Sequence, residues 1–352
     1  MPRIVLLPGD GIGPEVTEAA VSVLRVAAAR FQIPLEFETQ PIGARALRDG
    51  LPALPTSTLA ACQMADAVLL GAVGDPEFDR APRDARPETG LLQLRQALGL
   101  YANLRPAKVW PGLESSGPFL PDRIASTDML VVRELGGGLY YGEPRGLDSS
   151  GTAVNTLRYS AGEVERVAEV AFRLARSRGR KVTSVDKANV LETSQLWRST
   201  VERVAARYPD VTLDHLYVDA CAMLLVLDPR RFDVVLTENL FGDILSDEAG
   251  AIAGSLGLLP SASLGSGPGL YEPVHGSAPT LAGRDVANPI GAIASAALLL
   301  RHSLHHEAGA SAIESAIGAV LAAGLRTADL APAGSASLGC AAMAEAIAAR
   351  IS

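Results

Sequence analysis

At 352 residues the chain exceeds the size that one hydrophobic core usually serves, so one large domain or two intimately joined ones are expected. Hydrophobic residues make up 48% and charged residues 20%, a globular balance that argues against an intrinsically disordered chain. A formal net charge of -8 with no basic run disfavours general nucleic-acid binding, so an anionic ligand has to be met by individually placed arginines.

The first predicted elements are a strand in "RIVLLPG" and a helix from Glu15 to Phe31, joined by "GDGIGP". Gly9 and Gly11 stand two apart at this junction, and Glu36 and Glu38 follow near where a ribose-binding acid falls in a Rossmann site. The third glycine of that fingerprint is missing: Pro14 stands there, with Gly13 one position early. Proline in a first helical turn is ordinary, because the helix leaves that N–H unpaired anyway. The stretch reads as a tight glycine turn opening a helix, either a plain corner or one whose N–H groups face a phosphate or amide. "LEFETQ", a helix from Ser57 to Met64 and the strand "DAVLLGAVG" continue an alternation that predicts α/β layers with a largely parallel sheet.

From about Tyr101 to Tyr159 the helical periodicity fades, and "DMLVVREL", "GLYYGEPRG" and "GTAVNTLRYS" predict strands joined by glycine turns. Helix returns in "SAGEVERVAEVAFRLARSRG", with Gly179 as its stop. "KVTSVDK", "LDHLYVDACAML" and "FDVVLTENLFGDILSDEAG" restore the strand-then-helix order, and further helices are predicted near Pro289 to His306 and Ala312 to Ala323. A domain built from both chain ends and interrupted by a central one suits this pattern. His302, His305 and His306 are expected to share a helix face as a solvated patch, since no second cluster completes a metal site. The longest apolar run, "IGAIASAALLL", stops at Arg301 after 11 residues, short of the ~20 a membrane span needs. The apolar run in "MPRIVLLPGDG" is too short for a signal peptide, so a cytoplasmic protein is expected. Cys62, Cys221 and Cys340 are odd in number and far apart, which predicts buried reduced thiols rather than disulfides or a zinc site.

Carboxylates that can carry chemistry are few. Asp243 and Asp247 are four apart on a predicted helix, a spacing that puts them on one face, either solvated or with a cation between them. Asp219 lies at a predicted strand end, and all-carboxylate ligation would suit Mg²⁺ or Mn²⁺. Arg95, Arg105 and Arg133 each sit beside apolar sequence, as surface ion pairs or as forks that match carboxylates two bonds at a time. Lys187 and Tyr140 are unremarkable taken singly.

Taken together, "LLPGDGIGPE", "RPETGLLQLR", "YANLRPAKV", "VVREL…GLYYGEPRG", "VDKANVLE", "YVDACAM", "NLFGDILSDEA" and "EPVHGSAPTLAGRDVANP" resemble, in that order, the motif series of the metal-dependent β-decarboxylating dehydrogenases, the isocitrate/isopropylmalate dehydrogenase family. The match runs from residue 4 to about residue 300. The resemblance implies an α/β, isopropylmalate dehydrogenase-like two-domain fold with a mixed parallel/antiparallel sheet, not a Rossmann fold. It implies a discontinuous cofactor-binding domain from residues 1–100 plus 252–352 and a central substrate, metal and dimerisation domain from 101–251. Asp219, Asp243 and Asp247 are then expected to hold Mg²⁺ or Mn²⁺. Arg95, Arg105 and Arg133 clasp two malate carboxylates, with Asp219, Glu88, Leu91, Leu92 and Val190 also at the substrate. Lys187 takes the C2 hydroxyl proton, hydride leaves for the nicotinamide, CO₂ departs, and Tyr140 protonates C3. NAD is expected at Ile12, Gly74, Glu88, the loop His275, Gly276, Ser277, Ala278, Pro279 and Thr280, and Asn288. The family also implies a homodimer in which Lys187 and Asp219 reach each site from the second subunit.

Leu91 and Leu92 look like an apolar pocket for an isopropyl group, or like core residues of an amphipathic helix. The first alternative selects (2R,3S)-3-isopropylmalate, oxidised to 4-methyl-2-oxopentanoate in leucine biosynthesis, and rejects isocitrate, whose third carboxylate would be buried unpaired. Homoisocitrate or a tartrate-like acid is the alternative within the family. A catalytically silent regulatory subunit is a further one, although such a chain would be expected to lose proton-transfer or metal residues that are all present here. Thr280 and Leu281 replace the acid and isoleucine usual in NAD-using relatives, yet the lysine–tyrosine pair of NADP-using relatives is absent, so NAD is favoured. Glu238 stands where small or uncharged residues are common, with no role implied.

Overall fold

Residues 1–117 and 119–352 are described by a computed structural model. Among them the strands, in chain order, are β1 (Arg3–Gly9), β2 (Glu36–Thr39), β3 (Ala67–Ala72), β4 (Leu100–Lys108), β5 (Asp128–Glu134), β6 (Gly146–Leu147), β7 (Ala153–Val154), β8 (Lys181–Asp186), β9 (Thr212–Tyr217), β10 (Val234–Thr237), β11 (Pro260–Gly265) and β12 (Gly269–Pro273). The chain forms two units. One takes Met1–Leu100, a short stretch beginning at Val109, and Ala253–Ser352; the other takes Tyr101–Lys108 and Phe119–Ile252. The stretch from Val109 is central in sequence but buries Trp110 and Leu113 in the first unit, where Arg326 Nη2 donates to the Gly112 carbonyl at 2.6 Å.

In the first unit the strand order is β2-β1-β3-β12-β11, parallel as far as β12 and closed by an antiparallel β11. Every residue of β3 is buried, as a parallel strand covered on both faces requires. The apolar run "IGAIASAALLL" forms the helix Ile290–His302, and each residue from Ile290 to Leu300 is buried, so its uniform hydrophobicity serves the core. Among the described residues no helix is long and apolar enough to cross a membrane.

The opening turn obeys its glycines. Gly9 and Gly11 have φ of +72° and +57°, in the left-handed region that side chains disfavour. A Cβ on Gly13 would stand 2.1 Å from the Pro8 carbonyl oxygen and 2.9 Å from the Ala72 nitrogen. Gly13 thus supplies the close helix-to-strand approach that the Rossmann fingerprint assigns to its third glycine, and Pro14 occupies the first turn of the helix Gly13–Arg30.

In the second unit the order is β4-β5-β10-β8-β9, with β4 antiparallel to β5 and the rest parallel. The helix Ala161–Arg176 starts with a complete capping box, Ser160 and Glu163 each bonding the other's backbone N–H. Three expectations are corrected. The strands foreseen in "GLYYGEPRG" and "GTAVNTLRYS" shrink to the two-residue β6 and β7, because Gly138, at φ +75°, turns the chain into a 3₁₀ helix at Gly138–Tyr140. The residue that takes a left-handed conformation after the helix Ala161–Arg176 is Arg180 (φ +56°), not Gly179, whose missing Cβ instead lets Asp233 approach. His302, His305 and His306 do not share a helix: the chain breaks at His305 (φ +52°), and His306 Nδ1 caps the next helix, Glu307–Ala322, by accepting from the Gly309 N–H at 3.0 Å. Burial pushes His302 down to about 4, so it is neutral. Cys62, Cys221 and Cys340 are free and buried, with burial pushing each thiol up to about 12.

Gly13→Ala is expected to lower stability by about 1–3 kcal/mol, since backbone atoms on both sides have to move. Gly162→Ala, where a Cβ meets nothing within 4 Å, should leave it unchanged or raise it by under ~1 kcal/mol. Urea unfolding of the two variants checks the contrast.

Candidate active site

The second unit gathers charge around one side chain. Antiparallel pairing sets Asn103 of β4 opposite Arg133 of β5, with Arg105 two residues on along the same face. On the other side β10 runs parallel to β5 with Thr237 beside Arg133, so the helix Asn239–Ala253 begins next to that arginine. Arg133 is only 1% exposed and cannot rely on water for partners. Its Nε and Nη2 donate to Asn239 Oδ1 at 3.1 and 2.8 Å, and its Nη1 donates to Asp243 Oδ1. Gly242 is the residue that lets this happen: a Cβ there would lie 2.6 Å from Arg133 Cγ.

Arg105 Nη1 lies 3.4 Å from both Asp243 Oδ1 and Asp247 Oδ1 and donates to Ser246 Oγ at 2.8 Å, while its Nε donates to Asn103 Oδ1 at 2.7 Å. The Tyr140 hydroxyl donates to Asp243 Oδ2 at 2.7 Å, and its ring centre is 5.4 Å from the Arg133 guanidinium carbon. Burial, reinforced by that bond to Asp243, raises the Tyr140 phenol above its ordinary value. Burial likewise raises Asp247, with Arg105 opposing it. The result is two guanidinium groups, two carboxylates one helical turn apart and a protonated phenol in mutual reach.

A second pair stands apart. Parallel pairing aligns Asp186 of β8 with Tyr217 of β9, so the residues that follow each strand emerge side by side. Lys187 Nζ there forms an ion pair with Asp219, in the first turn of the helix Val218–Leu227, and holds its carboxyl below the usual range. The Lys187 N–H donates to Ser194 Oγ at 3.1 Å, and Val190 is exposed. Among the described residues no three His, Cys, Asp or Glu side chains are gathered as a metal site. Among the described residues Asp219 is not gathered with Asp243 and Asp247: it follows β9 whereas they share the helix after β10, and it is engaged by Lys187.

The remaining predicted residues belong to the first unit. On the helix Pro87–Ala97, Leu94 is in the core whereas Leu91 and Leu92 are only partly buried. Arg95 Nη2 donates to Glu272 Oε1 of β12 at 2.6 Å, an acid that sequence reasoning passed over in "YEPVHG". Three loops meet at the opening turn. The Ile12 N–H donates to the Ser277 carbonyl at 2.8 Å, a Cβ on Gly11 would stand 1.9 Å from that same oxygen, and a Cβ on Gly74 would stand 2.9 Å from Glu88 Oε1. Asp10 ties them by accepting from the N–H groups of Gly74, Ala44 and Arg45 at 2.9, 3.0 and 2.9 Å. His275 Nδ1 faces the Gly276 carbonyl at 2.9 Å, while its Nε2 is buried with no partner among the described residues. Burial lowers the imidazole's pKa, so Nδ1 carries the proton and Nε2 is an acceptor. Gly276, Pro279 and Thr280 are exposed and Ala278 adopts φ +39°. Asn288 turns inward, accepting from Ile290 N–H at 3.0 Å and donating to Asp329 at 3.1 Å.

The profile of the isocitrate/isopropylmalate dehydrogenase family matches residues 3–347. The chain is 55% identical over 347 residues to the 3-isopropylmalate dehydrogenase of Synechococcus sp. (strain CC9902), covering 97% of each chain. It is 54% identical over 348 residues to that of Gloeobacter violaceus, covering 97% of this chain and 96% of the relative. Among solved structures it resembles the isocitrate dehydrogenase from Methylococcus capsulatus, with a TM-score of 0.88, 37% identity and coverage of 100% of this chain and 99% of that one.

Glu238, without a role in the sequence, caps the helix Asn239–Ala253: its Oε1 accepts from the Phe241 N–H at 2.8 Å. It shares the Tyr159 hydroxyl with Glu134, at 3.3 and 3.1 Å. Glu134 is fully buried and accepts from the N–H groups of Gly136 and Gly137 at 2.7 and 3.0 Å, holding the turn that leads to Tyr140. Burial pushes the Glu134 carboxyl up to about 7 despite those bonds. The folded protein keeps this proton where the unfolded chain, with an ordinary value near 4.5, has released it, so the contribution is present below that value and is lost as pH rises to 7. Glu134→Gln is expected to flatten a loss on the order of 3 kcal/mol across this window. Urea midpoints of both proteins at the two ends of the window measure the difference in slope.

Proposed function

The chain belongs to the isocitrate/isopropylmalate dehydrogenase family, and on that premise we propose that it oxidises and decarboxylates 3-isopropylmalate to 4-methyl-2-oxopentanoate and CO₂ with NAD as oxidant, in leucine biosynthesis. The observation that carries this reading is the convergence of Arg105, Arg133 and Tyr140 on Asp243, one helical turn from Asp247. Half-exposed Leu91 and Leu92 support an alkyl group at C3 rather than a third carboxylate.

The donor set at Asp243 and Asp247 is all oxygen, and burial raises Asp247, both of which suit a hard divalent cation such as Mg²⁺ or Mn²⁺. Asp243 and Asp247, with Asp219 of a second copy, would hold it. The first unit suits NAD through the glycine turn and the orphaned acceptor His275 Nε2, which fits an adenine amino group. When bound, the cation supplies Lewis acidity at the C2 oxygen and NAD supplies the hydride-accepting ring.

The chain's own residues do the rest. Arg105 and Arg133, with Arg95, grip the two carboxylates, and the burial of Arg133 strengthens its charge there. Lys187 takes the proton of the C2 hydroxyl as the C2–H pair leaves as hydride, giving a ketone. The bond from C3 to its carboxylate then breaks, and its electron pair passes into the C2–C3 enolate while CO₂ departs. Tyr140, kept protonated by burial and Asp243, delivers its proton to C3.

A homodimer with shared sites follows from the same residues. Asp219 and Lys187 lie apart from Asp243 within one chain, and Met223, Val226 and Leu227 expose an apolar face on the Asp219 helix, as Ile244 does on the Asp243 helix. Such a face suits a second copy, which would carry Lys187 and Asp219 to its neighbour. A cytoplasmic location is part of the same proposal.

NADH formation is expected with 3-isopropylmalate and Mn²⁺, and neither with isocitrate nor in EDTA; turnover of homoisocitrate or tartrate instead reassigns the substrate. Lys187→Ala and Asp243→Asn should each be nearly inactive. Unfolded and refolded together in equal amounts, they should recover about a quarter of the wild-type sites, because half the dimers are mixed and each mixed dimer holds one intact site. No recovery would mean that each chain builds its own site.

A further inference from the structure

Asn239 is fully buried, and its amide is used on both sides. Its oxygen accepts from Arg133 Nε and Nη2 at 3.1 and 2.8 Å. Its nitrogen donates to the carbonyls of Gly137 and Leu135 at 2.9 and 3.4 Å, in the turn "ELGGGLY" that ends on Tyr140. Its backbone N–H donates to the Tyr159 hydroxyl at 3.1 Å, and that hydroxyl also bonds Glu134, which holds the Gly136 and Gly137 N–H groups of the same turn. Asp243 touches both Arg133 and Tyr140 too, but its side chain is about a third exposed, whereas Asn239 is fully buried.

We propose that Asn239 is a positioning residue that holds the Arg133 guanidinium in register with the turn bearing Tyr140, so that the carboxylate clamp and the proton donor keep one spacing. The amide is suited to this where an acid is not. Aspartate would present the same oxygen to Arg133 but neutralise its charge and offer no hydrogens to the Gly137 and Leu135 carbonyls.

The kinetic half of the test rests on the function proposed above; the spectroscopic half does not. Asn239→Ala is expected to raise KM for 3-isopropylmalate and to lower kcat, each about tenfold, as two contacting partners are released. In a Tyr140→Phe background the kcat effect should shrink to under about twofold, and in an Arg133→Lys background the KM effect should do the same. Equal losses in every background would mark a merely structural residue and overturn the proposal. Independently of turnover, the ¹³Cζ resonance of Tyr140, assigned with Tyr140→Phe in labelled protein, should move in Asn239→Ala; an unmoved resonance overturns the proposal. If Asn239→Ala does not fold, the isosteric Asn239→Asp takes its place in both arms with the same two outcomes. A wild-type protein inactive on 3-isopropylmalate would sink the functional reading alone, and the resonance would still decide the role of Asn239.

Discussion

A guanidinium group removed from water keeps its charge, and the surroundings must answer for it at a cost of several kcal/mol if they fail. Arg133 imposes that demand on the second unit. It is met by an amide and a carboxylate delivered from one helix, which requires that the helix start beside β5, that Gly242 carry no side chain, and that Asn239 and Asp243 stand one turn apart. The same geometry then presents Asp247 to Arg105 and Asp243 to Tyr140. On the proposed function stability and chemistry draw on one set of bonds, since the groups assigned to the substrate are also those that fix the helix to the sheet.

The first unit solves a matching problem with the opposite charge. Asp10 is buried, burial raises its pKa, and three backbone N–H groups from two loops hold it. Through it the turn after β1 is tied to the segment after β3, while Ile12 and Gly11 lock against Ser277 after β12. In the second unit Lys187, Asp219 and Asn239 follow β8, β9 and β10, and Arg133 lies next to the end of β5. In both units the chemistry thus gathers beyond the carboxyl ends of parallel strands, where successive loops emerge on one edge and helices begin with their N–H groups pointing outward.

Charge pairing also supports the carboxylates in their two separate places. Asp219 has an opposite charge in Lys187, and Asp243 has two in Arg133 and Arg105, so neither is left uncompensated in the isolated chain. Burial raises Asp247, with Arg105, at 3.4 Å, the main charge opposing it.

Much of this was legible in the amino-acid order. The alternation of apolar runs and helical periodicity announced an α/β chain, the four-residue spacing put Asp243 and Asp247 on one helical face, and the ordered motifs singled out Arg105, Arg133, Tyr140 and Lys187. Local rules sufficed for the first two, which lie within a few residues of chain; the last four came from the family resemblance of the whole motif series. The contributions of Glu272, Glu134, Asn239 and Asp10 were invisible, since each is a polar residue whose partner is set by strand pairing rather than by neighbours in sequence. Local preference misled where it was nearly balanced: the glycines before Tyr140 allowed strand or 3₁₀ turn, Gly179 yielded its left-handed role to Arg180, and the three histidines fell on either side of a break. The sequence alone determined which groups were present and which secondary structure carried them. Only the tertiary structure decided which charges were buried together, because burial and pairing are set by which strands lie side by side, and residues far apart in the chain carry no local record of that.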